Sequence, residues 1–192
     1  MPVIRKIMPT ELPQYRAHLL RLDHADRYAR FTGTLSDEAV ERHCAAIDWG
    51  RTVILGAFED GVLRGAIELC GDRMLWPEQA EFGISIESTL QGKGVGSTLV
   101  RRVLTVARNR GIRHVHMMCL PENIRMRALA RRFGGLLALD GGEITSMFEL
   151  PPPNQFSLAL EALEDGTGAF NSILSGNAIL TRLSTQQQRL AA

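Results

Sequence analysis

Between Ala80 and Glu87 the chain alternates strictly, with Phe82, Ile84 and Ile86 set against Glu81, Gly83, Ser85 and Glu87. A glycine-rich turn follows, Gln91-Gly92-Lys93-Gly94-Val95-Gly96, and beyond it Val95, Leu99, Val103 and Val106 recur at helical spacing until Gly111. A period of two, a glycine turn and then a period near 3.6 read as strand, tight turn and amphipathic helix. The strand has one apolar face for a core and one polar face free for chemistry. The turn carries main-chain N–H groups to the positive end of a helix, where anions bind. It is neither the dinucleotide G-x-G-x-x-G, because residue 97 is Ser, nor the G-x-x-x-x-G-K-[ST] phosphate loop. A turn of this kind can also be purely structural.

The flanking sequence predicts an α/β domain of mixed type. Val3 to Ile7 read as a strand, broken by Pro9, with a helical stretch from Glu11 to Leu22. Ser36 suits an N-cap, and Val40, Cys44 and Ile47 follow at helical spacing, which predicts a helix over 36–48. Val53 to Glu59 and Val62 to Cys70 flank Asp60-Gly61, the dipeptide favoured in two-residue hairpin turns. After the amphipathic helix come a strand from Val115 to Leu120, a helix marked by Met126, Leu129, Ala130 and Phe133, and a strand pair around Asp140-Gly141-Gly142. The predicted order is β-α-α-β-β-β-α-β-α-β-β over residues 1–150. Pro151-Pro152-Pro153 ends the pattern, so residues 151–192 read as a C-terminal extension, partly helical around Phe156 to Leu163, flexible, or used in the contact of a homodimer.

Composition removes several classes. Of 192 residues, 45% are hydrophobic and 22% charged with a formal net charge of +1, which argues against a disordered chain and against a phosphate-backbone binder. No nucleic-acid partner is expected, and the arginines of the two later helices read as solvated faces. Cys44, Cys70 and Cys119 form neither a CxxC pair nor an even set, so reduced thiols, no metal site and a cytoplasmic address are expected. Neither a signal peptide nor a membrane span is recognisable. His114 and His116 project from one side of a strand without a third ligand at recognisable spacing. Cys119, in an apolar strand, reads as a small hydrophobe rather than a nucleophile.

Gln91, Gly94 and Gly96 fill the fixed positions of a Q/R-x-x-G-x-G/A loop, and Asn123, Met126, Leu129 and Gly134 match a later N-x-x-A/M-x-x-L-x-x-x-x-G helix. With these two motifs in this order, the sequence resembles the GCN5-related N-acetyltransferases. The resemblance implies a central mixed, largely antiparallel sheet, splayed in the middle and flanked by about four helices. It implies acetyl-CoA as the acetyl donor, its pantetheine arm between the strand ending near Glu87 and the strand beginning near Val115. Cofactor contacts then fall on Ile84 and Ile86, on the backbone of Gln91, Gly92, Lys93, Gly94, Val95, Gly96 and Ser97, and on Asn123 and Arg125.

Acetylation of an alkyl amine, protonated at neutral pH, needs a base. Glu81 is the first choice, on the polar face of the cofactor strand, with Glu68, Asp72 and Glu87 as rivals. The N–H of Ile86 is the candidate oxyanion donor. Acceptors implied are a small-molecule amine or a protein lysine, the latter because Asp26-Arg27-Tyr28-Ala29-Arg30-Phe31 resembles a segment of bacterial protein lysine acetyltransferases. Residues 9–36 and the loop from Gly71 to Gln79 would shape that choice. One departure stands out: Ala130 occupies the position of the family's usual tyrosine acid. A non-catalytic sensor of acetyl-CoA is therefore the competing reading. If the protein is a transferase, kcat should rise with pH through a single limb, and a bell-shaped profile would restore a tyrosine acid.

Overall fold

The structure, a computed structural model, describes residues 2–33, 35–168 and 170–171. Residues 172–192, with the glutamine-rich end of the extension, lie outside them. The chain runs β1 (Val3–Lys6), α1 (Leu12–Arg21), α2 (His24–Phe31), α3 (Asp37–Ala45), β2 (Thr52–Glu59), β3 (Val62–Gly71) and β4 (Gln79–Ile86). It continues through α4 (Val95–Asn109), β5 (His114–Cys119), α5 (Ile124–Arg132), β6 (Leu136–Asp140) and β7 (Glu143–Glu149). A further helix, α6, covers 155–168. Among the described residues no helix is long and apolar enough to cross a membrane.

The strands form one seven-stranded sheet in the order β1-β2-β3-β4-β5-β7-β6. Its pairings are antiparallel except between β4 and β5, which run parallel. That parallel pairing is confined to Gln79 with His114, Ala80 with Val115 and Glu81 with His116. Beyond it β4 stays with β3 while β5 stays with β7, and the sheet opens in the middle as expected.

Local chemistry explains the turns. Asp60 and Gly61 both have positive φ, 51° and 77°, the requirement of the two-residue hairpin between β2 and β3. Alternation then sorts side chains onto two cores. Leu55, Ile67, Leu69 and Phe82 meet Leu99, Val103 and Val106 of α4. On the opposite face, Ile54, Leu63 and Ala66 meet Tyr15 and Leu19 of α1 and Val40 and Cys44 of α3.

Two helices depart from the expected order. α2 is absent from the expected order because it offers no broad apolar stripe: none of its residues is buried, and only Phe31 packs on a core. Polar groups hold it instead. Asp23 caps it by accepting from the Asp26 N–H at 2.7 Å. Arg27 donates to the Leu20 carbonyl at 2.8 Å and pairs with Asp37 at 2.6 Å, and Arg30 reaches Glu68 of β3 at 3.0 Å. α6 is longer than its apolar residues suggest, and it too docks by a polar face. Lys6 pairs with Glu161 and Asp165, Arg102 with Glu164 and Asp165, and Asn109 donates to Glu161.

The carboxylate of Glu68 has three partners on one oxygen. Its Oε2 accepts from the Tyr15 hydroxyl at 2.7 Å, from Arg30 Nη2 at 3.0 Å and from His43 Nε2 at 2.9 Å. Burial alone would raise this carboxyl, but the hydrogen bond from His43 and the charge of Arg30 outweigh it and hold it below its ordinary value. Removing it strands the Arg30 guanidinium, whose side chain is only 11% exposed. Glu68→Ala should cost about 3–5 kcal/mol in urea unfolding. Since the folded carboxyl sits below its unfolded value, the stability it confers is complete above about pH 5 and is lost as the solution is acidified. The variant should therefore unfold with a flatter acid dependence than the wild type.

Candidate active site

Where β4 and β5 part, a cavity of about 1060 Å³ opens, walled by β4 from Phe82 onward, by α2, by the glycine turn and by α5. The backbone of β4 is oriented by its neighbours. Glu87 N–H donates to the Arg64 carbonyl at 2.8 Å, toward β3. Alternation along the strand then turns the N–H groups of Ile84 and Ile86 to the other edge, where β5 has left the ladder. The cavity thus has a row of main-chain groups facing it.

At its far end lies the start of α4. Gly92 and Gly94 have φ of 72° and 79°, conformations that cost other residues strain, and Gly94 is the N-cap. No side chain caps this helix, so its first N–H groups are available to an anion. A Cβ on Gly96 would lie 3.1 Å from Ile86 Cδ1, so the turn packs closely on β4. Arg125 and Arg132 also line the cavity, and Arg132 Nη1 lies 3.2 Å from Ser97 Oγ. Free donors at a positive helix end, two guanidinium groups and an open strand edge suit an extended ligand with a diphosphate head.

The side chain of Gln91 braces this region. Its Nε2 donates to the Ile86 carbonyl at 2.9 Å and to both carboxylate oxygens of Asp26, at 3.0 and 2.9 Å. Its Oε1 accepts from Arg125. One amide thus links β4, α2 and α5 around the mouth of the cavity. Burial raises the Asp26 carboxyl against the lowering bond from Gln91.

Of the residues singled out from sequence, Ile84, Ile86, Gln91, Gly92, Gly94, Gly96, Ser97, Asn123 and Arg125 all line the cavity. Val95 turns its side chain into the core and offers only backbone. Lys93 is exposed and off the wall. Asn123 Oδ1 caps α5 by accepting from the Met126 N–H at 3.0 Å. Glu81 is exposed at the last paired position before the sheet opens, also off the wall. Asp72 is exposed in the β3–β4 loop. Cys119 is buried, and burial raises its thiol. Among the described residues no group of three or more His, Cys, Asp or Glu is arranged to hold a metal.

Ala130 is buried, leaving the family's tyrosine position without a side-chain acid. Tyr15 is fully engaged with Glu68, and burial followed by the Glu68 charge raises its phenol well above the ordinary value. Tyr28 lines the cavity from α2, its ring stacked on His24 at 6.3 Å between centroids. Sequence reasoning missed His18 altogether. It sits on the buried face of α1 with Tyr15 and Leu19, and its bonds to Ser85 and Glu87 span 67 and 69 residues. A polar residue on an otherwise apolar helix face was the one available signal.

The chain matches the model of the Acetyltransferase (GNAT) family over residues 17–135. The fold is shared with the GNAT domain of S. lividans PAT at 24% identity and a TM-score of 0.66, covering 77% of this chain and 89% of that one. YncA, a putative acetyltransferase from Salmonella typhimurium solved with its cofactor acetyl-CoA, is 17% identical with a TM-score of 0.58, covering 78% and 94%. PaiA N-acetyltransferase from Thermoplasma acidophilum, in complex with coenzyme A, is 18% identical with a TM-score of 0.58, covering 78% and 99%.

The left-handed N-cap gives a direct test of the turn. Gly94→Ala should destabilise the protein by about 1 kcal/mol in urea unfolding, with no new steric contact to blame, since nothing lies within 4 Å of the added Cβ. A splayed sheet, an uncapped helix start beside it and a family match spanning most of the sheet converge on one conclusion: the chain belongs to the acetyltransferase (GNAT) family.

Proposed function

We propose that the protein is an N-acetyltransferase that moves the acetyl group of acetyl-CoA to a primary amine by direct attack in a ternary complex. The observation that carries this reading is the open edge of β4, which runs from Ile84 and Ile86, paired with β3 but not with β5, to the uncapped start of α4. Two relatives of the same fold were solved with acetyl-CoA or coenzyme A, which supports the same donor here. The backbone from Gln91 to Ser97 holds the diphosphate, with Lys93 and Arg125 as cations beside it. Asn123 and the edge of Ile84 hold the pantetheine arm. The donor supplies a thioester whose carbonyl carbon accepts the amine. The N–H of Ile86 faces the place where negative charge then develops on the carbonyl oxygen.

The acceptor enters from the α2 side, past His24, Tyr28 and Arg30. A small-molecule amine or a protein lysine fits this entrance, and the Asp26-Arg27-Tyr28-Ala29-Arg30-Phe31 segment that lines it favours the lysine. The thiolate leaves without a protein acid, because its pKa of about 8.5 needs little help at neutral pH. Glu81, the base expected from the sequence, lies on the polar face of β4 but off the cavity wall. Free thiols at Cys44, Cys70 and Cys119 suit a reducing cytoplasm.

A second reading, a sensor that binds acetyl-CoA without turnover, is favoured by one observation, the buried Ala130 in the tyrosine position. Thiol release from acetyl-CoA separates the two, measured with polyamines, aminoglycosides, amino acids and a lysine-rich protein pool beside a CoA titration. Release that depends on any amine supports the transferase. Tight CoA binding with no amine-dependent release supports the sensor, and no CoA binding overturns both.

A further inference from the structure

Behind the polar face of β4 lies a chain of three side chains. Ser85 Oγ is 2.9 Å from His18 Nε2, and His18 Nδ1 is 3.0 Å from Glu87 Oε1. Ser85 stands on the cavity wall, beside Ile84 and Ile86. His18 is 0% exposed and off the wall, and Ser85, to which it is hydrogen-bonded, is on it. This is the order hydroxyl, imidazole, carboxylate by which an imidazole is aimed at a reacting group.

The direction of each bond follows from charge. Burial raises the Glu87 carboxyl, but hydrogen bonds from His18 and Arg21 and the charge of Arg21 bring it down to about 2, so it is a carboxylate that only accepts. Arg21 Nη2 reaches its Oε1 at 2.8 Å, and Arg64 Nη1 reaches its Oε2 at 3.0 Å. In the tautomer that donates from Nδ1 to this carboxylate, Nε2 accepts from Ser85. With its proton committed to His18, the serine oxygen has lone pairs for a donor in the cavity.

We infer that Ser85, His18 and Glu87 form the proton relay that deprotonates the acceptor amine, with Ser85 as the group that touches it. The inference rests on the transferase reading. An alkylammonium in the cavity donates one proton to Ser85 Oγ while the serine proton moves to His18 Nε2. Glu87 faces the resulting imidazolium. The neutral amine forms the N–C bond as the C–S bond breaks, and its second proton goes with the departing sulfur. His18 returns its proton through Ser85 once the products have left. Ser85 is the catalytic residue, and His18 and Glu87 act through it. The groups packed around the imidazole are Ser85 and Glu87 from the β4 strand and its end, with Arg21 of α1 and Arg64 of β3 bound to the same Glu87.

The test compares the wild type, Ser85→Ala and His18→Gln in thiol release with acetyl-CoA, using spermidine, free lysine and a lysine-rich protein pool as amines, alongside CoA affinity. In Ser85→Ala, which removes one hydroxyl and leaves the fold's cores untouched, kcat should fall about a hundredfold or more. CoA affinity should be unchanged, and the rising limb of kcat should move toward the amine's own pKa of about 10.4. His18→Gln, if folded, should move the limb in the same way. An unchanged kcat and limb in Ser85→Ala would overturn the relay and return the base to Glu81. An acetyl adduct on Ser85 in the intact mass would overturn it in favour of a covalent nucleophile. A wild type that binds CoA but releases thiol with none of these amines would defeat the transferase reading and the relay together.

Discussion

One carboxylate oxygen organises the N-terminal third of this protein. Glu68 Oε2 takes hydrogen bonds from Tyr15 of α1, Arg30 of α2 and His43 of α3, so three consecutive helices are referred to a single point on β3. The point is buried, which makes each unmatched charge expensive and each matched one directional. A Cβ on Gly83, directly opposite Glu68 in the β3–β4 ladder, would run into the Arg30 guanidinium, so the glycine is what lets that side chain lie against the sheet. α2 has no buried residue of its own. Its place on the cavity wall is set by this carboxylate and by Asp26, with Phe31 as its contact to the core.

The cavity depends on a different economy, the early end of the β4–β5 ladder. Parallel pairing stops at Glu81 and His116, while each strand keeps its antiparallel partner on the other side. The open edge is stable because the groups it frees are few and face a ligand-sized space rather than apolar packing. Gln91 then ties that edge to the rest of the site. Its amide satisfies the Ile86 carbonyl and joins Asp26 to Arg125, so that the strand, α2 and α5 share one hydrogen-bonded hub at the mouth.

Much of this was legible along the chain, and the reason is locality. Asp60-Gly61 and Gly141-Gly142 announced their hairpins because left-handed backbone is costly for most residues, and the angles found there are left-handed. The strand, turn and helix from β4 to α4 followed from periodicity and glycine alone. α2 was not legible, because sequence patterns report apolar faces and this helix sets only Phe31 against a core; Arg27 and Arg30, which hold it, look like any solvated arginine until their partners are known. α6 was only half legible for the same reason. Its inward side carries Glu161, Glu164 and Asp165, while Phe156 and Leu163 point outward.

The site divides along the same line. The sequence by itself determined the turn from Gln91 to Gly96 and its place between a strand and a helix, because backbone conformation and amphipathic period are properties of neighbouring residues. Most of the cofactor residues it marked also line the cavity. Only the tertiary structure decided which polar groups act together: that Gln91 spends its amide on Asp26, 65 residues away, and that Ser85 finds His18 at a separation of 67. Such pairings are made by the packing of α1 and α2 onto β3 and β4, and a hydrogen bond's partner is fixed by distance in space, which no local pattern encodes.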